Sequence, residues 1–321
     1  MNKLRTNNNL GGLLFTAFLA SLLVMPLVSC DHKELDFTGV ADLSVEFTWD
    51  NVSGANPSSM MLAAFTKGSQ PVQKHLSGRN GGYIMLPEGN YQLIAYNSDT
   101  ETFHTLGSTW ESFEICANLT DFASTSRMFA GTRAIPRGSG TENQDIVEEP
   151  DPLWTSATSD ITITGTVGRV ARMPMEAATF ELAFTIKNVK NLEYISDVLA
   201  TVSGMSGSWF PAQHRCSDPL CIIPFNLSAS GTSLSGKVRT FGYRQDSDVE
   251  HLLVIYTEMS DGSKLYYTFD VTDAMQEASI EYDETINIEL EELPLPRPIQ
   301  NGTGLHPDVM DWQEITIDLP M

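Results

Sequence analysis

The chain is poor in positive charge. Nineteen lysines and arginines stand against 41 aspartates and glutamates, a formal net charge of -22 over 321 residues. Nucleic acid and anionic lipid head groups repel such a surface, so no nucleic-acid partner is expected. Histidine and cysteine are also scarce, at six and four. No His-Glu-x-x-His zinc signature, phosphate-binding loop or dinucleotide fingerprint occurs. No Gly-x-Ser-x-Gly elbow occurs either. Gly204-Met205-Ser206-Gly207 misses that spacing by one residue, and His306-Pro307-Asp308 reads as a polar turn. The sequence therefore assigns no catalytic residue, no metal and no cofactor, and the chain reads as a non-enzyme. What it does have is 41% hydrophobic content, enough for packed cores rather than disorder.

The N-terminus has three parts: a basic tip (Lys3, Arg5), an apolar run from Leu13 to Leu27, and Leu27-Val28-Ser29-Cys30. The run is shorter than the about 20 residues of a membrane span and has the layout of a removable secretory signal. Leu27 to Cys30 resembles the lipobox of bacterial lipoproteins. That resemblance implies cleavage before Cys30, with acyl chains (palmitate among them) on its sulfur and amino group. Each buried methylene of such a chain contributes about 0.8 kcal/mol of membrane affinity. Residues 1–29 are thus expected to be a signal peptide and 30–40 a lipidated tether. The acidic residues after Cys30 resemble surface-export signals of Bacteroidetes lipoproteins.

Cys216 and Cys221 flank Ser-Asp-Pro-Leu, a turn-like spacer. In an exported protein they are a candidate disulfide or a pair of free thiols. The short loop would make the entropic gain small. His214 lies close by, but a fourth metal ligand is not evident. Cys116 sits in an apolar run and reads as a core residue.

Alternation dominates the remainder. Leu43, Val45, Phe47 and Trp49 alternate with polar residues, as do Phe180, Leu182, Phe184 and Ile186. Period two marks half-buried strands. Further strands are expected at Met60–Thr66, Trp110–Cys116, Arg127–Ala134, 234–241, 252–259, 265–271 and 286–290, and a terminal one at Ile315, Ile317 and Leu319. Pro87-Glu88-Gly89-Asn90 is a tight turn before the strand Tyr91–Asn97. Leu192–Met205 fits helix and strand alike. Thr272 is expected to cap a short helix. Short strands separated by turns are the pattern of a β-sandwich. Composition turns polar between Arg137 and Pro152, which places a domain boundary there. The expectation is an N-terminal sandwich at 41–150 and a C-terminal one at 151–321.

Several of these stretches together resemble an uncharacterised family of Bacteroidetes lipoproteins related to fimbrillin-like minor pilus subunits. They are the lipobox, Val45-Glu46-Phe47-Thr48-Trp49, Leu86 to Asn97, Asp270-Val271-Thr272-Asp273 and Asp311-Trp312. The resemblance implies an all-β protein: two tandem transthyretin-like (Greek-key) β-sandwich domains on an outer-membrane lipid anchor, exposed at the cell surface. It implies an anchor, tip or adhesion subunit whose partners are other fimbrial subunits or a host or bacterial surface ligand. Contact would be by strand addition. Shaft subunits of such systems are cleaved after an arginine; the sequence assigns none here, since Arg133, Arg169 and Arg172 are candidates that each read first as ordinary loop arginines, and an anchor subunit would need no such cleavage. The alternative reading is a glycan-binding surface lipoprotein. Sugar rings stack on exposed aromatics, and Trp110, Trp154, Trp209 and Tyr243 are the ones nearest loop-like residues.

Overall fold

The computed structural model describes residues 39–130, 134–165, 169–245, 248–282, 284–298 and 312–315. Strands form where the alternation is strongest. The chain opens with β1 (Val40–Thr48), β2 (Ser59–Phe65), β3 (Val72–Ser77), β4 (Gly81–Pro87) and β5 (Gly89–Asn97). It leaves this body through β6 (Phe103–Leu106), β7 (Glu114–Ala117), α1 (Phe122–Thr125) and β8 (Asp145–Ile146). It returns with β9 (Trp154–Ile163), β10 (Arg169–Pro174) and β11 (Glu176–Ala177). A three-stranded sheet, β10-β1-β4, then faces a five-stranded one, β11-β9-β5-β2-β3. Leu43, Val45 and Phe47 of the first sheet meet Met60, Leu62, Leu93 and Ala95 of the second in one core.

The second body runs through β12 (Phe180–Lys187), β13 (Ile195–Ser206), β14 (Ser208–Phe210), β15 (Arg215–Cys216) and β16 (Leu220–Asn226). It continues with β17 (Ser228–Ser230), β18 (Ser233–Thr240), β19 (Leu252–Met259), β20 (Lys264–Asp270), α2 (Thr272–Glu277), β21 (Thr285–Glu291) and β22 (Gln313–Ile315). Its sheets are β17-β18-β12-β21 and β22-β20-β19-β13-β16-β8. The two bodies share one wiring. In each, the opening strand lies between an antiparallel neighbour (β4 or β18) and a parallel closing strand (β10 or β21). The facing sheets also correspond, β9-β5-β2-β3 with β20-β19-β13-β16. The protein is all-β and built of sandwiches, as the alternation indicates.

Insertions from both bodies form a further sheet, β15-β14-β7-β6. β6 and β7 come from the β5–β9 excursion, β14 and β15 from the β13–β16 connection. The register Ser208↔Cys116 and Trp209↔Ile115 stitches them together. This clasp changes what the first body buries. Tyr91, Leu93 and Ala95 face the first core, while Ile94 and Tyr96, from the same strand, join the second with Phe113, Ile115 and Leu153. The central sheet is therefore apolar on both faces. The outer face of the second body's large sheet is covered too, by Phe122, Met128 and Phe129 over Leu199, Val254 and Tyr256.

Strand pairing crosses the boundary expected at 150–151. β9 pairs with β5 from Gly89↔Ile163 to Tyr96↔Thr155, and β10 pairs with β1. Residues 154–177 thus complete the first sandwich, while β6 to β8 join sheets with second-body strands. The polar stretch near 140 is a surface turn of that excursion, where the Arg137 guanidinium donates to the carbonyls of Glu142 and Gln144.

Smaller departures have local causes. Arg127–Phe129 is a 3-10 turn, not a strand, because the Ser126 hydroxyl caps it by accepting from the Met128 amide at 3.1 Å. Met128 and Phe129 are still buried. The stretch Ile195–Ser206 is a strand. Thr272 is the first residue of α2 rather than its cap; its hydroxyl accepts from the His251 amide at 2.8 Å. Ile317 and Leu319 lie outside the described residues, whereas Ile315 ends β22, parallel to β20. Among the described residues no helix is long and apolar enough to cross a membrane.

Candidate interaction surfaces

The residues singled out by sequence scatter. Cys30, Arg133 and His306 lie outside the described residues. Cys216 and Cys221 are free thiols, as is Cys116. Cys216 is half-buried opposite Trp209, whereas Cys221 is buried on β16 opposite Met205. The two therefore belong to different sheets, and the candidate bridge does not form in this structure. Burial first, and then the nearby Glu114 charge, push the Cys116 thiol up to about 12, against a hydrogen bond with Ser208 that lowers it. Burial, with the Asp145 charge behind it, also raises Cys221. Neither is a ready nucleophile.

His214 Nδ1 lies 3.4 Å from the Glu176 carboxylate, and its ring meets Trp209 edge-on with centroids 5.2 Å apart. Among the described residues no cluster of three or more metal-ligating side chains forms. Of the four aromatics, Trp209 and Tyr243 are core residues, and the Tyr243 hydroxyl donates to the Met275 carbonyl at 2.6 Å. Trp154 is half-buried with its ring edge-on to Trp49. Trp154 borders a small cleft of about 200 Å3 beside Glu181 and Arg239, and Trp110 lines a larger groove of about 610 Å3.

Where the bodies meet, Arg239 stands between two carboxylates. Its guanidinium is 2.6 Å from Glu181, and its amide donates to Glu149 at 2.9 Å. Burial holds Glu149 above the usual carboxylate range, although its contacts with Arg239 act the other way. Burial would raise Glu181 as well, but the Lys237 hydrogen bond and the Arg239 and Lys237 charges together lower it. These groups form a partly exposed ion-pair network at the lip of a small cleft, where Lys237 and Arg239 both pair with Glu181.

The surface that stands apart is one flank of the first sandwich, made by edge strands β3 and β4. A sheet edge offers unpaired backbone groups and is normally guarded by charge or proline. β10, at the opposite edge, is guarded: it carries Arg169, Arg172 and Pro174, and Arg172 pairs with Glu46 at 3.2 Å. Both candidate processing arginines in the described residues are thus held in a paired strand. β4 has no charged residue. Its outward side chains are Tyr83 (67% exposed) and Met85 (48%), and the register sets Tyr83, Ser44 and Val170 (59%) in one row across the outer face. β3 adds Val72, 41% exposed. The periodicity located these strands, but it could not show which would end a sheet.

Comparison with known proteins agrees with this architecture. The chain is 27% identical over 198 residues to a candidate fimbrium anchoring subunit, Fim4B, of Bacteroides ovatus. The match takes in 60% of this chain and 54% of the relative, so it spans about half of that relative's length. A solved candidate adhesin from B. ovatus superposes with a TM-score of 0.60 at 18% identity, over 81% of this chain and 94% of that one. The fimbrial anchor protein Mfa2 of Porphyromonas gingivalis superposes at 0.50 with 12% identity, over 78% and 90%. At such identities these two structures speak for the fold alone. The sequence model for the domain of unknown function DUF5119 matches residues 29–226, well over half of the chain, and the protein belongs to that family.

Proposed function

We propose that the protein is a lipid-anchored subunit of the outer membrane that holds or tips a surface fimbria, or adheres through it. The observation that carries this reading is the 198-residue match to a candidate fimbrium anchoring subunit. Three features support it. Leu27 to Cys30 supplies an acylation site. The two sandwiches bring no reactive constellation together among the described residues. The unguarded β4 edge has the form that accepts an added strand.

Two measurements test it. Labelling cells with a clickable palmitate analogue should mark the wild-type protein, while Cys30→Ser should remain unmarked and accumulate as the uncut precursor. Deleting the gene should detach or lengthen surface filaments in electron micrographs. An unmarked wild-type protein sinks the anchor, and unaltered filaments sink the fimbrial role.

A further inference from the structure

We infer that the groove between the β2–β3 turn and the β6–β7 loop is a binding site for the neutral end of a glycan. Its volume is about 610 Å3, inside the about 300–1,000 Å3 range of small-ligand sites. One wall is Phe65, the turn from Thr66 to Gln70, and Gln92 on β5; the other is Ser108 to Glu111.

Trp110 is the aromatic surface of this groove, and its mounting is rigid. Its ring meets Phe65 edge-on with centroids 6.3 Å apart, and Phe65 rests in turn on the buried Phe113 at 5.3 Å. The loop closes on itself through the Thr109 and Ser112 hydroxyls, 2.8 Å apart, and the Ser112 amide donates to the Thr109 carbonyl at 3.2 Å. Gln213 Nε2 donates to the Glu111 carbonyl at 2.8 Å and ties the loop to the rest of the clasp. Gly107 starts the loop at φ +82°, where a Cβ would lie 1.9 Å from the Ser112 carbonyl oxygen. A site of this kind is preorganised rather than assembled by its ligand.

Polar groups around the ring are free. Among the described residues, the side chains of Lys67, Gln70, Gln92 and Glu111 make no hydrogen bond or ion pair. Gln92 lines the groove and is half-buried, at reduced water contact. An amide offers a donor and an acceptor together, which suits adjacent sugar hydroxyls, while the C–H face of a pyranose lies against an indole. A peptide anchor would favour a drier, more apolar pocket. The net charge of -22 disfavours acidic sugars, and Lys67 and Glu111 offset each other locally.

This assignment goes beyond the fimbrial reading, and its test is independent of filament assembly. The full chain is applied to an array of neutral mucin-type, plant and bacterial oligosaccharides, and any hit is titrated by calorimetry. A hit is expected. Trp110→Ala and Gln92→Ala should each weaken it about tenfold or more, while Trp110→Phe, which keeps an aromatic plate, should retain it. Unchanged thermal midpoints would separate lost contact from lost fold. An empty array overturns the assignment. So does a hit that Trp110→Ala and Gln92→Ala leave intact, or a groove that holds peptides and no sugar. Filaments that are altered by gene deletion in the face of an empty array would leave the fimbrial reading standing without this site.

Discussion

At the scale of single residues, the chemistry that looks reactive is held inert by packing. His251 is fully buried at the start of β19. Its Nδ1 lies 3.3 Å from the Ser203 carbonyl, and its Nε2 is buried without a hydrogen-bond partner. Gly204 is obligatory beside it, because a Cβ there would fall 2.5 Å from Nδ1. Burial lowers the His251 pKa, and the Ser203 and Asp270 interactions recover only part of that loss. Between the lowered folded value and the ordinary value of about 6.5, the unfolded chain binds more protons than the folded one. Stability therefore rises with pH through that window and is lost as pH falls below about 6.5. The thermal midpoint should drop as buffer is taken from about pH 7 to about pH 5.5, and the drop should be shallower in His251→Gln. Equal slopes in the two proteins would place the acid sensitivity elsewhere. The thiols give a second residue-scale expectation. A brief pulse of iodoacetamide on the folded protein should label Cys216 and leave Cys116 and Cys221 unmodified until denaturant is added, as read by mass spectrometry. A bridge between Cys216 and Cys221 would instead leave Cys216 unlabelled until reductant is added.

At the scale of elements, β1 and β12 were legible in the sequence because each has one buried and one wetter face, which writes a period of two. β5 and β19 were harder to orient. Both of their faces are buried, so apolar residues run together in Leu93-Ile94-Ala95 and in Leu252 to Tyr256. The misread of Arg127–Phe129 has the same root: Met128 and Phe129 are apolar for the large sheet they cover, not for any sheet they belong to. Trp110 was singled out by its place near loop residues, but Gln70 and Gln92 were not. Polar residues on separate strands carry no local signal until the sheet brings them together. The β4 edge has a consequence of its own. Lysine on an edge strand blocks the approach of another strand, and an exposed substitution shifts stability by only about 0.5 kcal/mol. Met85→Lys should therefore keep the wild-type denaturation midpoint and lose capture of fimbrial subunits from cell-envelope extracts. Undiminished capture would move the contact to another edge.

At the scale of the whole molecule, the sandwiches cannot be parted at the polar stretch near 140, although composition points there. Composition reports which segments are wet, whereas a fold boundary depends on which distant segments pair. Here β5 waits for β9 across the entire β6–β8 excursion, and that excursion is stitched to β14 and β16 of the other body. The described residues from Gly39 onward form one compact unit. Trp209 is fully buried on β14 in the larger core, its ring edge-on to Tyr282 with centroids 5.2 Å apart. Cutting the chain at 150–151 would deprive the N-terminal piece of β9 and β10, leaving Ile94 and Tyr96 uncovered and Leu43 without its parallel neighbour. The C-terminal piece would lose β7 from the clasp and the Phe122 to Phe129 cover. Neither fragment should give dispersed amide resonances alone, and calorimetry of the intact chain should show one transition. Trp209→Ala should lower that transition as a whole, by about 3–5 kcal/mol for a large aromatic core residue, without splitting it. Two separable transitions, or a well-folded 41–150 fragment, would mean that the clasp joins two independent domains instead of making them one.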